Sequence, residues 1–296
     1  MTHAMKGHGM SERQACRLVG QHRSTQRREH GVPDDEPALV RDLRSLSARH
    51  PRFGYRRVHC LLKDMGWRIN AKRVQRLWRR EGLKVPQRRR KRRARGSSAN
   101  SCALRKAEHP NHVWSYDFLS EVTESGRRLR ILAITDEFTK ECLCLHVAHS
   151  IDSKVVLGLL ASIMIERGSP RVIRADNGPE FVAEAVVTWL KRVDTEAAFI
   201  APGSPWENGV IESFNSKLRD ELLNLEILQD LQHARFLLEE YRVIYNTERP
   251  HSSLGYLTPA KFAASCSPSG SASLRLRENS SDTRTPLTNQ QQPRLS

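Results

Sequence analysis

Three carboxylates in the last two thirds of the sequence stand where a charge has a chemical use. Asp117 interrupts an apolar, strand-like segment, Asp176 follows another such segment, and Glu212 lies in a helical pattern. Converging carboxylates repel one another unless a cation lies between them, and hard oxygen ligands select Mg²⁺ or Mn²⁺. Two such ions about 4 Å apart can activate an attacking oxygen and stabilise a leaving one, as breaking and rejoining a phosphodiester requires.

Each of these acids also has an ordinary interpretation when it is taken alone. Asp117 fits a charge at a strand edge, Asp176 fits a turn or helix-capping residue, and Glu212 fits an exposed helix residue. Two further acids, Asp136 and Glu137, are interpreted as turn residues between strands and are left out of the set. Only the three carboxylates together indicate catalysis.

The sequence around the three acids has an α/β pattern. Strands are predicted at residues 113–119, 129–135, 142–147, 171–175 and 197–200, with helices at 153–167, at 179–192 and from near Asn208. Three strands, a helix and another strand therefore follow in order. Because ligand sites gather at the carboxyl ends of strands in open sheets, the position of Asp176 after residues 171–175 favours a site there.

The helix predicted after Asn208 has two stripes of opposite character. The stripe predicted to be buried contains Val210, Phe214, Leu218 and Leu222, which recur every four positions. The opposite stripe is polar and contains Asn208, Glu212, Asn215 and Arg219. This pattern predicts that the polar stripe forms one wall of an active site, with Glu212 facing the sheet.

Positive charge is concentrated in the first third of the chain. The sequence has 49 Lys and Arg against 33 Asp and Glu, a net charge of +16. Residues 1–105 hold 28 basic and 8 acidic residues, whereas the remainder holds 21 basic and 25 acidic residues. Such a basic field suits a polyphosphate partner, because each neutralised phosphate releases condensed counterions. Charge alone leaves DNA binding, RNA binding and a solvated tail open.

A helical hairpin with one basic helix lies within this basic third, after helices predicted at residues 11–20 and from 36 to before Pro51. Its first helix, residues 56–65, ends at Gly66, and Asn70 caps a second helix that ends at Gly82. The second helix is predicted to bury Val74, Leu77 and Trp78 and to project Lys72, Arg73, Arg76, Arg79 and Arg80 outward. This is typical of a helix-turn-helix motif, with a plain helical hairpin as the alternative.

A run of seven cations at residues 88–95 follows the hairpin. It includes Arg88, Arg89, Arg90 and Lys91. Like charges repel one another, so the run is predicted to be an extended linker that tracks DNA phosphates, with a merely solubilising linker as the alternative. After residue 267 the chain is rich in Ser, Pro, Gln, Thr and Arg, a composition typical of disorder.

Five sequence stretches support a more specific interpretation. They are residues 54–57 (GYRR), 114–118 (WSYDF), 174–181 (RADNGPEF), 205–215 (PWENGVIESFN) and 249–255 (RPHSSLG). Together they resemble the OrfB-type insertion-sequence transposases of the retroviral-integrase superfamily, over residues 11–264. Asp176 and Glu212 are separated by 35 residues, which is the spacing by which this DDE family is named.

The resemblance implies a ribonuclease H-like integrase catalytic core, an α/β fold, behind an all-α helix-turn-helix region. Asp117 would lie on the first strand, Asp176 after the fourth, and Glu212 on a later helix, where these residues are catalytic and bind two Mg²⁺ or Mn²⁺ ions. Arg219 matches the Lys or Arg that the family keeps seven positions after the glutamate to hold DNA. Lys217 is expected to contact phosphate or to be exposed, and His251 to pack or to take part in catalysis.

The implied activity is metal-dependent DNA cleavage and strand transfer during transposition of an insertion sequence. The implied partners are DNA, at the element ends and the target, further copies of the chain on DNA, and an upstream OrfA product, separate or fused. The alternatives are a non-catalytic DNA-binding regulator or transposition inhibitor, and a nuclease that hydrolyses DNA without joining it.

The predicted domains follow these boundaries. A short helical segment spans residues 1–35, a helix-turn-helix region 36–86, a basic linker 87–105, the catalytic domain 106–264, and a disordered tail 265–296. The six cysteines lack the spacing of a zinc module or a disulfide framework. Neither a long apolar run nor a secretion signal is seen, so a bacterial cytoplasmic, nucleoid-associated location is expected, without a membrane.

Overall fold

The structure is a computed structural model that describes residues 9–27, 33–83, 85, 106–175, 184–199 and 208–266. Asp176, the basic linker with Arg88, Arg89, Arg90 and Lys91, and the tail from residue 267 lie outside the described residues. The chain forms two compact units, Met1–Leu46 and Ser47–Ser296. Within the described ranges, no helix is long and apolar enough to cross a membrane.

The first unit contains helices α1 (Glu12–Val19), α2 (Arg23–Arg27) and most of α3 (Glu36–Arg49). The Ser11 hydroxyl caps α1, and the Gln14 side chain bonds back to the Ser11 backbone, so two N–H groups at the helix start are satisfied. Ala15 is fully buried, whereas Leu18 and Val19 are exposed. The helices predicted at residues 11–20 and from residue 36 are confirmed, and α2 was not predicted.

The helical hairpin consists of α4 (Tyr55–Asp64) and α5 (Ala71–Arg80) in the second unit. The Asn70 side chain accepts a hydrogen bond from the Lys72 N–H and caps α5 as predicted. Between the helices, Gly66 takes the left-handed φ of 95° that favours glycine. The helix predicted at residues 56–65 is observed one residue earlier at each end, so Met65, which is 57 % exposed, caps α4 and belongs to the turn.

A five-stranded sheet forms the centre of the second unit. Its strands are β1 (Val113–Val122), β2 (Arg128–Asp136), β3 (Cys142–Ala148), β4 (Val172–Ala175) and β5 (Glu196–Phe199), in the spatial order β3-β2-β1-β4-β5. β1, β2 and β3 pair antiparallel, and β4 and β5 add parallel to β1. The predicted strands are confirmed, and each boundary agrees within about three residues.

Helices cover both faces of this sheet. They are α6 (Ser153–Arg167), α7 (Glu184–Arg192), α8 (Gly209–Leu218), α9 (Leu231–Thr247) and α10 (Pro259–Ser265). A π-helical turn, Arg219–Leu223, continues α8, and a short 3₁₀ turn, Ser252–Leu254, precedes α10. The helices α6 and α8 were predicted, and the described part of α7 agrees with the helix predicted at residues 179–192.

Two apolar cores lie on opposite faces of the sheet. Along β2, Ile131 and Ala133 join one core with residues of α8 and α9, whereas Leu132 and Ile134 join the other with residues of α6 and α7. This alternation follows from the period of two along a strand. The sheet is therefore buried on both faces, as expected of the ribonuclease H-like α/β architecture.

Candidate active site

Asp117 lies on β1, where the strand faces α8. It pairs across the sheet with Ala133, which belongs to the core that α8 and α9 cover. The Asp117 Oδ1 atom accepts a hydrogen bond of 2.8 Å from the Phe118 N–H, and its Oδ2 atom accepts one of 2.8 Å from the Asn215 Nδ2 atom. These hydrogen bonds hold the carboxylate in place. Because Asp117 is only half-buried, the carboxylate is still reachable from solvent.

Asn215 joins α8 to the central strand through this hydrogen bond. It is 8 % exposed, and its Oδ1 atom is enclosed without a hydrogen-bond partner among the described residues. Asn208, at the start of α8, is also buried with an unpartnered Oδ1 atom in the described part of the chain. Two members of the predicted polar stripe are therefore buried. The helical period placed Asn215 on the correct face, but no sequence signal marked it as a partner of Asp117.

Glu212 lies in the first turn of α8 and is exposed. It precedes Asn215 by three residues, and residues with this spacing share a helix face. A carboxylate near a helix N-terminus is also stabilised by the helix dipole. The hydrogen bond from Asn215 therefore brings the face that carries Glu212 against the strand that carries Asp117.

The third expected carboxylate, Asp176, lies outside the described residues. Within those residues, no group of three His, Cys, Asp or Glu side chains is placed to hold a metal ion. The structure therefore brings together the elements that bear Asp117 and Glu212, and the meeting of all three acids stays a prediction.

A buried ion pair holds the strand that leads to Asp176. Arg174 on β4 donates from Nη1 to both carboxylate oxygens of Glu137, at 2.7 and 2.8 Å, and the Ser115 hydroxyl also donates to Glu137. Arg174 and Glu137 are each about 5 % exposed. Glu137 was predicted to be a turn residue without a further role, so its partner was missed. In contrast, Asp136 accepts from the N–H groups of Phe138 and Thr139, as a turn residue does.

The cations predicted to bind DNA have different surroundings. Arg76, Arg79 and Arg80 on α5 are exposed, whereas Arg73 is half-buried with its Nε atom enclosed, so its predicted outward projection is wrong. Arg73 precedes the fully buried Leu77 by four residues and so lies on the same side of the helix, which explains its partial enclosure. Arg219, beyond α8, donates from Nη1 to the Glu121 Oε1 atom at 2.7 Å.

A buried charge network lies beside the candidate active site. Arg249, which is 2 % exposed, donates to both carboxylate oxygens of Glu221 at 2.6 and 2.7 Å, and Arg57 of α4 donates to the same carboxylate at 3.0 Å. The Arg249 Nη1 atom also lies 3.1 Å from the His251 Nε2 atom. Burial, followed by the charge of Arg249, lowers the pKa of His251 to about 2, so the ring is neutral. This favours the packing role over the catalytic role for His251.

Lys217 on α8, in the same region, is a lysine whose charged form the fold disfavours. Burial, followed by the charge of Arg249, lowers its pKa from 10.5 to about 8. Between these two values the unfolded chain binds a proton at Lys217 that the folded chain does not, so the free energy of unfolding rises with pH through this window. At pH 7 the side chain is charged in both states, and keeping it charged in the fold costs about 3 kcal/mol.

Replacing Lys217 by an uncharged side chain should therefore stabilise the protein at neutral pH. The substitution Lys217→Met is expected to raise the free energy of unfolding by about 1 to 3 kcal/mol at pH 7. The gain should shrink towards pH 10, where the wild-type lysine is neutral in the fold. Urea unfolding at several pH values measures both, with the exposed Lys154→Met as the control. A gain that is the same at pH 7 and pH 10 would contradict the shifted pKa.

Three stretches of the chain match known domain families. Residues 33–91 match the HTH-like domain, which includes α3, α4 and α5. Residues 107–205 and 193–259 match the integrase core domain. The two integrase matches together contain the whole sheet, α8 and the three candidate carboxylates, so the domain with the site geometry is an integrase core.

The relatives of the chain are proteins of bacterial insertion elements. It is 41 % identical to a 31.7 kDa protein of insertion element IS407 from Burkholderia multivorans, over 86 % of this chain and 91 % of that protein. It is 27 % identical to the transposase of IS904 from Lactococcus lactis, over 71 % and 87 %. Among solved structures, the catalytic core domain of HTLV-2 integrase in complex with magnesium is 17 % identical, with a TM-score of 0.42, over 52 % of this chain and 97 % of that one. The chain therefore belongs to the insertion-sequence transposases of the integrase superfamily, enzymes that cut DNA and transfer the cut strand.

Proposed function

We propose that Asp117, Asp176 and Glu212 are the catalytic carboxylates of this transposase and that they bind two Mg²⁺ or Mn²⁺ ions. The observation that carries the proposal is the hydrogen bond between Asn215 and Asp117, which fixes the Glu212 face of α8 against β1. The two acids are 95 residues apart in the sequence, and this hydrogen bond sets which side of α8 meets Asp117.

The register of the parallel strands supports the inclusion of Asp176. Ser115 on β1 pairs with Arg174 on β4, and the strands run in the same direction. Asp117 follows Ser115 by two residues, and Asp176 follows Arg174 by two residues. In the sequence, Asp176 directly follows Ala175, the last residue of β4. Because neighbouring strands lie about 5 Å apart, we expect the two aspartates to come within reach of a common ligand.

The residues present suit divalent metal ions. Each oxygen of Asp117 accepts a hydrogen bond, and a carboxylate oxygen has a second lone pair that can bind a further ligand. The ligands would be Asp117, Asp176 and Glu212, all hard oxygen donors of the kind that Mg²⁺ and Mn²⁺ prefer. When bound, such ions activate the attacking oxygen and stabilise the leaving one.

We infer two successive phosphoryl transfers in this site. In the first, a water oxygen bonds to phosphorus at the element end, the bond from phosphorus to the 3′ oxygen breaks, and that oxygen takes a proton. In the second, this 3′-hydroxyl loses its proton and its oxygen bonds to the phosphorus of a target phosphodiester. The bond from that phosphorus to the target's 3′ oxygen breaks, and the displaced oxygen takes up a proton. Neither step needs a covalent bond to the protein. The chain's part is to hold its carboxylates and the DNA in register, which is how positioning accelerates such transfers.

DNA binding is assigned to the helix-turn-helix region, residues 36–86, and to the linker, residues 87–105. The proposed contacts are Arg73, Arg76, Arg79, Arg80, Arg88, Arg89, Arg90, Lys91, Lys217 and Arg219. The match to the HTH-like domain supports the helical part of this assignment. The remaining parts of the proposal are assembly of several copies on DNA, cooperation with an OrfA product, and a cytoplasmic, nucleoid-associated location.

A strand-transfer assay tests the proposed function. The full chain is incubated with labelled DNA that carries the element ends and with unlabelled target DNA, in Mg²⁺ and in EDTA. Joined products that form in Mg²⁺ but not in EDTA support the proposal. A nuclease would cut the ends without joining them, and a non-catalytic regulator would bind the DNA without cutting it.

Removing the exposed cations of α5 should weaken DNA binding in a salt-dependent way. If Arg76 and Arg79 each neutralise one phosphate, the double substitution Arg76→Gln, Arg79→Gln should lower the slope of log K against log [salt] by about 1.8. Both side chains are exposed, so the melting temperature should not change by more than about 3 °C. Fluorescence anisotropy over a range of NaCl concentrations measures the slope, with Lys154→Gln, which removes one exposed positive charge outside the hairpin, as the control. An unchanged slope would remove α5 from the DNA interface.

A further inference from the structure

A cavity of about 230 Å³ lies on the side of α8 away from Glu212. Its polar lining includes Thr135, Lys140, Ser213, Lys217, His251 and Ser253, and we call it the α8-flank cavity. On a helical period, Ser213 and Lys217 share one face, whereas Glu212 and Asn215 share another. The cavity is therefore a neighbour of the candidate metal site rather than a part of it.

The lining of this cavity is rich in hydrogen-bond donors. The Lys217 Nζ atom donates to the Ser213 hydroxyl at 3.1 Å, and the Lys140 Nζ atom donates to the Glu137 carbonyl oxygen. Each ammonium has three protons, so each can donate further bonds. No carboxylate belongs to the described lining. The cavity thus presents two cations and several hydroxyls to one volume.

One buried hydroxyl group in the lining can still donate a hydrogen bond to a ligand. Thr135 is 2 % exposed, and its Oγ1 atom has no hydrogen-bond partner among the described residues. The residue lies at a register shift between β2 and β3, and such irregularities in a sheet often re-aim side chains near functional sites. An enclosed hydroxyl without a partner is unfavourable, so an acceptor that enters the cavity would satisfy it.

The surroundings of the cavity favour an anion. Burial lowers the pKa of Lys140, against the opposing charges of Glu137 and Asp136. Burial also lowers the pKa of Lys217, and the charges of Arg249, Arg57 and Lys140 lower it further. Glu221 opposes them, but both arginines already bind its carboxylate. His251 is neutral, and its Nε2 atom faces Arg249, which leaves the ring proton on Nδ1 as another donor. An incoming negative charge would relieve this repulsion.

We propose that the α8-flank cavity binds a backbone phosphate of the DNA strand that enters the active site. This proposal rests on the proposed function, because it takes Asp117 and Glu212 as the site of the scissile phosphate. A helix with its side chains is about 10 Å wide, and successive phosphates of one strand advance by about 3.4 Å along the duplex axis. A strand at the carboxylates on one side of α8 therefore carries another phosphate, a few nucleotides away, within reach of the opposite side. The cavity would set where the strand lies relative to the carboxylates.

DNA binding in EDTA tests this proposal without catalysis. The double substitution Lys140→Gln, Lys217→Gln is expected to lower the slope of log K against log [salt] by about 0.9, the contribution of one phosphate. Thr135→Val removes a donor without a charge, so it should weaken binding by about tenfold and leave the slope unchanged. Lys154→Gln is the control. Melting temperatures show whether each variant is folded. The substitution Lys217→Gln is expected to leave the protein at least as stable as the wild type. A wild-type slope in the double variant would overturn the proposal.

A second measurement distinguishes DNA from free phosphate. The wild-type protein is treated with an amine-acetylating reagent, and modification of Lys140 and Lys217 is followed by mass spectrometry with no ligand, with duplex DNA, or with inorganic phosphate at the same total phosphate concentration. Protection of both lysines by DNA but not by inorganic phosphate supports the proposal. Equal protection by inorganic phosphate, or no protection by DNA, would overturn it.

These outcomes are separable from those of the proposed function. Both binding measurements are made in EDTA, whereas strand transfer requires Mg²⁺. Both proposals are supported if the Asp117→Asn protein lacks strand transfer, its salt slope still falls when Lys140 and Lys217 are replaced, and DNA still protects both lysines from acetylation. Active carboxylate variants would contradict the catalytic assignment whatever the cavity binds, and an unaffected salt slope would contradict the cavity assignment whatever the carboxylates do.

Discussion

Asp117→Asn is expected to reduce both DNA cleavage and strand transfer by at least about 1,000-fold, because it removes a charged oxygen ligand from the metal site. The substitution should leave the fold intact. Asn215 donates to the Asp117 Oδ2 atom, and its own Oδ1 atom is unpartnered in the described chain, so its amide can rotate and accept from the new amide instead. The loss of activity can therefore be assigned to the missing charge.

Two companion variants and one control complete this experiment. Asp176→Asn and Glu212→Gln are expected to show losses of the same order, since the three carboxylates act as one unit. Glu166→Gln removes an equivalent charge from the exposed surface of α6 and should keep full activity. Cleavage and joining are measured in Mg²⁺ with labelled element ends, and DNA affinity is measured in EDTA. Joined products from Asp117→Asn or Glu212→Gln at the wild-type rate would refute the catalytic assignment.

Glu221→Gln is expected to lower the free energy of unfolding by about 3 to 5 kcal/mol. Glu221 accepts from two arginines, and Arg249 is almost completely buried against it. A glutamine offers one acceptor oxygen, and its NH₂ group would point donors at a guanidinium that also only donates. Arg249 would keep its charge without compensation in a site from which water is largely excluded. Urea or thermal unfolding of the full chain measures the loss.

An exposed ion pair of the same chain provides the matched control. Arg242 donates to both oxygens of Glu239, whose side chain is 56 % exposed. Because solvent screens such a pair, Glu239→Gln should cost less than about 1 kcal/mol. A loss for Glu221→Gln that is as small as the loss for Glu239→Gln would show that the buried network contributes little to stability.

The Glu221 network also connects the helical hairpin to the catalytic core. Arg57 belongs to α4, and Glu221 lies in the π-helical turn that directly continues α8. Nearby, Arg52 donates to both carboxylate oxygens of Asp220, at 2.5 and 3.1 Å. The hairpin that is proposed to bind DNA is thus attached to the helix that carries Glu212. We expect a change in the network to affect the position of α8 as well as stability.

Much of this organisation could be predicted from the sequence, because it depends on local patterns. Side chains alternate along strands and recur every 3.6 residues along helices, so the strands of the sheet, α6 and α8 were found from periodicity. Caps such as Asn70 act on backbone groups only two or three residues away, so they too were predicted. The 35-residue spacing of Asp176 and Glu212, with the surrounding motifs, identified the family, which the matches to the integrase core confirm.

The partners across elements were decided by the tertiary structure. Periodicity placed Asn215 on the same face as Glu212, but only the packing of α8 against β1 showed that it binds Asp117. In the same way, Glu137 and Arg249 gave no sign in the sequence of the buried ion pairs that they form with Arg174 and Glu221. The reason is physical: a periodic pattern specifies the direction of a side chain within its own element. The identity of the atoms it meets depends on how distant elements pack, which no local pattern contains.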